Sequence, residues 1–210
     1  MLLMESVTIK NTSELFQTLQ KRNWDFLSNP VTLSQKRLYT YLKSYPEFIK
    51  YFKNVAKIEY HHLIIGANFT YGWMPTILVF KNNHSERIIN KLNQLRNEKY
   101  TIVENDVQEI REFLNNSVSG TTKLIHFIQP NKYPILDRNI YDLLGNSSSP
   151  NAKNYIDFVG NCQKIIKEPS FRGIHKRISG LIHKHFKYDI TTCRSLELLI
   201  FLGTNQYQTI

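Results

Sequence analysis

The 210-residue chain is short of cysteine, glycine, proline and acid. Two cysteines, Cys162 and Cys193, cannot build a disulfide framework or a four-thiolate zinc site. Eight glycines and seven prolines exclude the collagen-like and low-complexity classes. No apolar run approaches the roughly 18 residues of a membrane span. The opening MLLMES is too short for the apolar stretch of a secretory signal. The expectation is a soluble, cytoplasmic protein with no membrane partner. Acid is the scarce charge: 17 Asp+Glu stand against 27 Lys+Arg, a formal net charge of +10. What is present, 41% hydrophobic and 12% aromatic residues, suffices for a core and excludes a disordered basic tail. The length suits one domain or two packed lobes.

A basic globule most often meets nucleic acid, because each Lys or Arg set against a phosphate releases a condensed counterion. An anionic membrane surface is the rival partner, but no segment combines a basic face with bulky exposed apolar residues. Many basic proteins are simply soluble and cationic.

The apolar spacing is helical almost throughout. Asn11-Thr-Ser-Glu14 reads as a capping box ahead of Leu15 and Leu19. Residues 32–45 carry Leu38, Tyr41 and Leu42 at helical spacing, and Pro46 suits the first position of a following helix. Residues 57–70 are mostly apolar and lead into the aromatic knot Tyr71-Gly-Trp-Met-Pro75. Residues 85–99 form an amphipathic helix on Ile88, Ile89, Leu92 and Leu95. The stretch 106–116 puts Val107, Ile110, Phe113 and Leu114 on one face, with Asp106 and Glu109 near its positive end. Residues 118–121 read as a short hairpin, and 121–128 as a second helix that stops at Gln129-Pro130. Asp137 then caps a helix holding Ile140, Leu143 and Leu144 and closing at Gly145. Ser147-Ser-Ser-Pro150 is the one linker-like stretch, before helices over 151–167, 173–186 and 192–202, the last ending at Gly203. The only strand candidate is the weak Tyr100-Thr-Ile-Val103. The expected fold is all-α: a single chain, 1–210, built around a helix-hairpin-helix element within 106–145, in two closely packed helical lobes.

That element carries the chemistry. Two short helices joined by a tight glycine-containing turn can offer the second helix's free amides to a phosphate. Ser119, Gly120 and Thr121 are the candidate contacts; an ordinary helical hairpin is the plain alternative. Gly120-Thr-Thr-Lys-Leu-Ile-His-Phe127, followed by Tyr133-Pro-Ile-Leu-Asp-Arg-Asn-Ile140, resembles the core signature of the helix-hairpin-helix DNA glycosylases. In motif it is most similar to the archaeal-type 8-oxoguanine glycosylases. The likeness covers about a sixth of the chain.

The resemblance implies that Asp137 is the aspartate whose carboxylate stabilises the oxocarbenium-like sugar as the base departs. The bland reading of Asp137 is a helix cap worth about 1 kcal/mol. Members that also cleave the strand carry a Schiff-base lysine two residues after the hairpin glycine, and Thr122 stands there. Lys123 is one residue further, about 100° around the helix. The favoured reading is therefore hydrolytic base removal, with Lys123 at a phosphate or merely solvated. A lyase using Lys123 is an alternative. His126, one turn after Thr122, faces either the cleft or the core.

Base excision also needs a wall for the extruded base, and Tyr71 and Trp73, with Trp24 behind them, are the candidates; a packed corner is the alternative. In 173–186, Lys176, Arg177, His183 and Lys184 lie opposite Ile174, Ile178, Leu181 and Ile182. No acid stands between Pro169 and Tyr188, so this face suits a DNA backbone. His61-His62 and His183-Lys-His185 do not match zinc-hydrolase spacing, so no metal and no cofactor is expected. The expectations are a monomer on double-stranded DNA that removes a damaged or modified base, in repair or in defence against modified viral DNA. The rivals are a non-catalytic DNA binder and a helical interaction module.

Overall fold

In the computed structural model, which describes residues 24–80, 85–144 and 149–203 together with Gln17, Gln20 and Lys21, the regular elements are helices. A 3-10 turn at Asp25–Leu27 precedes α1 (Leu33–Asn54), α2 (Tyr60–Gly72), α3 (Ser85–Leu95), α4 (Glu104–Phe113) and α5 (Val118–Ile128). Then come α6 (Arg138–Leu143), α7 (Ala152–Lys167), α8 (Pro169–Phe186) and α9 (Thr192–Leu202). Among the described residues there is no strand, only an isolated antiparallel bridge between Phe80 and Leu114. Tyr100–Val103 is irregular. The capping box expected at 11–14, Gly145 and the first half of the 147–150 linker lie outside the described residues.

The chain divides into two units. The first draws on 1–46, 138–149 and 161–210, the second on 47–137 and 150–160. Four chain crossings therefore separate them, two inside helices α1 and α7.

In the first unit α9 is the central helix. Thr191 caps it by accepting from the Arg194 amide at 3.0 Å, and every side chain from Cys193 to Leu202 is buried. A helix buried all round must satisfy its polar groups internally. Arg194 does so by pairing with Glu197 and lying 4.6 Å from the centre of the Tyr45 ring. The expected helix start at Pro46 is corrected: α1 runs through it. Proline at 46 removes the amide that would bond the Leu42 carbonyl. The Tyr188 hydroxyl donates to that carbonyl at 2.8 Å instead. A partner 146 residues away is invisible to local spacing, which is why the proline reads as a boundary.

In the second unit α5 is the central helix, buried on nearly every side. The helix α2 lies on it at Gly66, where an added Cβ would stand 2.4 Å from the Phe52 ring and 3.0 Å from Leu124. On α3, Ile88, Leu92 and Leu95 are buried, the amphipathic face read from sequence. On α4, Val107, Ile110 and Phe113 are buried as expected, and so is Asp106. Its carboxylate takes Lys91 Nζ at 2.6 Å, the Tyr100 hydroxyl at 2.5 Å and the Val103 amide at 3.0 Å. Burial pushes the Asp106 carboxyl up, but these three donors outweigh it and hold the group below its usual range.

Candidate active site

Between α4 and α5 the chain reverses at Leu114–Ser117, earlier than the glycine-containing turn expected at 118–121. Asn115 and Asn116 take the left-handed conformation, φ 53° and 55°, that the turn requires. Asparagine tolerates that region because its short amide bonds locally. Here the Asn115 amide bonds a distant segment instead: Nδ2 donates to the Ile77 carbonyl and Oδ1 accepts from the Val79 amide, each at 2.8 Å. Arg111 Nε donates to the Asn116 carbonyl at 3.0 Å, and the Tyr71 hydroxyl to the Leu114 carbonyl at 3.0 Å.

The roles expected of Ser119, Gly120 and Thr121 change accordingly. Gly120 is inside the first turn of α5 with no positive φ. A Cβ there would stand 3.2 Å from the Tyr71 ring and 3.4 Å from its hydroxyl, so this glycine makes room for Tyr71. Its amide donates to Ser117 Oγ at 3.0 Å, and the Thr121 amide to the Ser117 carbonyl at 3.0 Å. Neither is free for a phosphate. The Thr121 side chain is fully buried, and Ser119 is half-buried with its carbonyl oxygen 3.3 Å from Thr122 Oγ1.

One turn further in, three side chains grip the segment 133–136. Thr122 Oγ1 accepts from the Leu136 amide at 3.1 Å and donates to the Leu136 carbonyl at 3.2 Å. His126 Nδ1 lies 2.6 Å from the Tyr133 carbonyl oxygen, which makes that nitrogen the donor. From α7, the Tyr155 hydroxyl donates to the Pro134 carbonyl at 3.0 Å. The Tyr133 hydroxyl in turn accepts from the Ile102 amide at 3.0 Å. An irregular segment buried this deeply needs such partners. Thr122 and His126 are therefore held in structural hydrogen bonds, and neither ring nor hydroxyl faces solvent. The gripped segment ends at Asp137, which is half-buried immediately before α6.

Two further expectations are corrected. Lys123 is only 6% exposed, so it is not the surface lysine that would meet a backbone phosphate. Tyr71 and Trp73 are core residues: Trp73 packs against Phe48 at 5.6 Å and edge-on to Phe127 at 5.2 Å between ring centres. They form the packed corner, and a base has no free face of theirs to stack on. By contrast Lys176, Arg177, His183 and Lys184 on α8 are exposed, while Ile178 and Ile182 opposite them are buried. These cations belong to the first unit, and Asp137 closes a stretch of the second.

The sequence reading missed Tyr133 and Tyr155, whose hydroxyls serve backbone groups far along the chain. His61 and His62, set aside on zinc-hydrolase spacing, are brought together with Glu59 as possible cation ligands. Donor atoms of Glu59, His61 and His62 lie within 4.8 Å of one another. All three stand at the start of α2, where His62 Nδ1 already accepts from the Glu59 amide at 3.1 Å. Burial pushes both cysteine thiols up, so neither is a ready nucleophile. No helix among the described residues is long and apolar enough to cross a membrane. No known family model matches the chain, and no curated protein or solved structure is significantly similar to it.

Proposed function

We propose that the protein removes a damaged or modified base from double-stranded DNA by hydrolysing its N-glycosidic bond, with Asp137 as the catalytic carboxylate. The observation that carries this reading is the grip on residues 133–136. Four hydrogen bonds from Thr122, His126 and Tyr155 fix the backbone up to the residue before Asp137. A fixed negative charge beside the sugar favours the oxocarbenium-like state in which the C1′–N bond breaks. Water then adds its hydroxyl to C1′, and the departing base keeps the bonding electron pair and gains a proton. In this reading Thr122 and His126 position the aspartate, and the buried Lys123 performs no lyase step. The exposed basic side of α8 supplies phosphate contacts through Lys176, Arg177 and Lys184.

A second reading, a DNA binder without catalysis, is favoured by the burial of Tyr71 and Trp73, which takes away the two aromatic residues expected to stack on an extruded base. One experiment separates the two. Duplexes bearing a panel of damaged and modified bases are incubated with the protein and then treated with alkali to cut at abasic sites. The glycosylase reading expects strand breaks with at least one duplex and a loss of at least a hundredfold in Asp137→Asn, at unchanged DNA affinity. Borohydride should trap no adduct. Binding without breaks on any duplex leaves the second reading. For either, replacing Lys176, Arg177 and Lys184 by Ala should reduce the log–log salt slope of binding by roughly 2–3.

A further inference from the structure

The helix α2 opens on a pair of histidines. Glu59 precedes it, and His61 and His62 lie in its first turn. Glu59 and His61 are exposed, with 63% and 61% of their side chains open to solvent, and His62 is half-buried. The two imidazole rings stand with their centres 3.7 Å apart, tilted by 38°. Two imidazolium ions that close would repel, so the pairing favours neutral rings, each with a lone pair. Glu59 Oε2 lies 3.7 Å from His61 Nδ1, and donor atoms of all three residues are within 4.8 Å of one another.

On His62 the tautomer is already set. Nδ1 accepts from the Glu59 amide at 3.1 Å, which leaves the proton on Nε2. The lone pair of His62 is thus on the atom that faces Glu59, and His61 Nδ1 stands beside the same residue. A metal-bound imidazole normally donates its other N–H to a second group. The Tyr51 ring is centred 5.9 Å from that of His62, and its hydroxyl is buried with no hydrogen-bond partner among the described residues.

We propose that Glu59, His61 and His62 bind one divalent ion of the zinc class through the two Nδ1 atoms and a carboxylate oxygen, with the Tyr51 hydroxyl accepting from His62 Nε2–H. Two imidazoles and a carboxylate suit zinc or copper; magnesium prefers oxygen alone. Bonds of about 2.0–2.2 Å at a tetrahedral centre set donors roughly 3.3–3.6 Å apart, a gap that exposed side chains close by rotation. The ion displaces the Glu59 amide from His62 Nδ1. Water replaces it at this exposed helix start, and the lost bond costs roughly fivefold in affinity. The positive end of α2 opposes a cation, as does the nearby Arg96 guanidinium, which the Val55 and Ala56 carbonyls hold. The Glu59 carboxylate offsets them, and the balance is a site of micromolar affinity. It does not depend on the DNA reading.

Titration calorimetry with zinc chloride, on the full chain in a non-chelating buffer, tests the assignment. The expected result is saturable one-to-one binding, with no saturable heat from magnesium chloride. His61→Ala and His62→Ala should each weaken zinc about tenfold or more, and Glu59→Gln and Tyr51→Phe about threefold or more. His183→Ala, which removes the other exposed histidine paired with a carboxylate, should bind like the parent. Copper added to the parent should show nitrogen coupling from two imidazoles in its paramagnetic resonance spectrum. Absence of saturable zinc binding overturns the proposal, as does unchanged affinity in any of the four site variants or a loss confined to His183→Ala. If a site variant does not fold, a copper spectrum with coupling to fewer than two imidazoles overturns it equally.

Discussion

Thr122→Val isolates the grip on which the placement of Asp137 depends. Valine has nearly the shape of threonine, so the packing around residue 122 survives and only the hydroxyl is lost. That hydroxyl serves both the amide and the carbonyl of Leu136, at 3.1 and 3.2 Å, and both residues are fully buried. Each backbone group left without a partner costs about 1–3 kcal/mol, which together gives a loss of roughly 2–6 kcal/mol. Against a total stability of about 5–15 kcal/mol this is a large fraction. With a urea dependence of about 1–3 kcal/mol/M the midpoint should fall by roughly 1–3 M. Trp73 reports on the second unit, so the measurement is a urea titration followed by fluorescence in a Trp24→Phe background. Thr122→Ser is the control: it keeps the hydroxyl and loses one methyl, at a cost of about 1 kcal/mol. The reasoning fails if valine costs less than half a kcal/mol, or if serine costs as much as valine. If Asp137 is catalytic, excision in Thr122→Val should also drop more than DNA affinity does, because the aspartate loses its fixed approach.

Three further outcomes are expected. The Asp106 carboxyl is held below its ordinary value of 3.8, so its contribution is present above that pH and lost as pH falls through the lower folded value; urea titrations at pH 5 and pH 3 should show an acid loss in the parent that shrinks in Asp106→Asn, and equal losses would contradict it. Tyr188→Phe should cost about 1–2 kcal/mol by orphaning the Leu42 carbonyl. In a Pro46→Ala background, where residue 46 regains its amide, that cost should at least halve, and a double-mutant cycle with no coupling would refute the pairing. Gly120→Ala should destabilise by about 1–3 kcal/mol through the Tyr71 ring. Gly173→Ala, whose Cβ meets open space on α8, should be neutral or stabilising by up to about 1 kcal/mol, and two gains in thermal unfolding would dispose of the close-approach argument.

Helices whose ends carry their own caps, or whose burial is one-sided, were legible in the chain. The last helix, 192–202, begins and ends where the spacing and Gly203 place it, and the helix expected over 85–99 buries the expected face, though it ends at Leu95. The misreadings share a cause: a distant partner decided what the local residues did. Pro46 stays helical because of Tyr188, and Gly120 is a glycine because of Tyr71. The left-handed turn went to Asn115 and Asn116, a pair suited to it by residue type but passed over for the nearby glycine, and the Ile77 and Val79 groups that Asn115 bonds are far along the chain. At the candidate site, residue type and position were readable while direction was not. Thr122 and His126 lie one turn apart, as their spacing implies, yet both turn toward backbone carbonyls. Their polarity is consumed in holding 133–136. The buried Arg194–Glu197 pair was equally hidden, because two charges three residues apart on a helix usually mean a solvated face.

The alternation of chain segments between the two units has a consequence for synthesis. A ribosome delivers residues in order at about 5–20 per second, and domains tend to fold as they emerge. The second unit's long stretch, 47–137, arrives as one piece that already contains α2 to α5. It lacks only 150–160, the segment that brings Tyr155 to the Pro134 carbonyl. The first unit is in the opposite position: its opening segment leaves the ribosome first but meets α9, its central helix, only when the last segment is out. Leu38 and Leu42, buried in the finished protein, must remain uncovered by that helix while the whole second unit is made. The second unit can thus close before the first although its chain begins later, and the opening half of α1 waits longest for its cover.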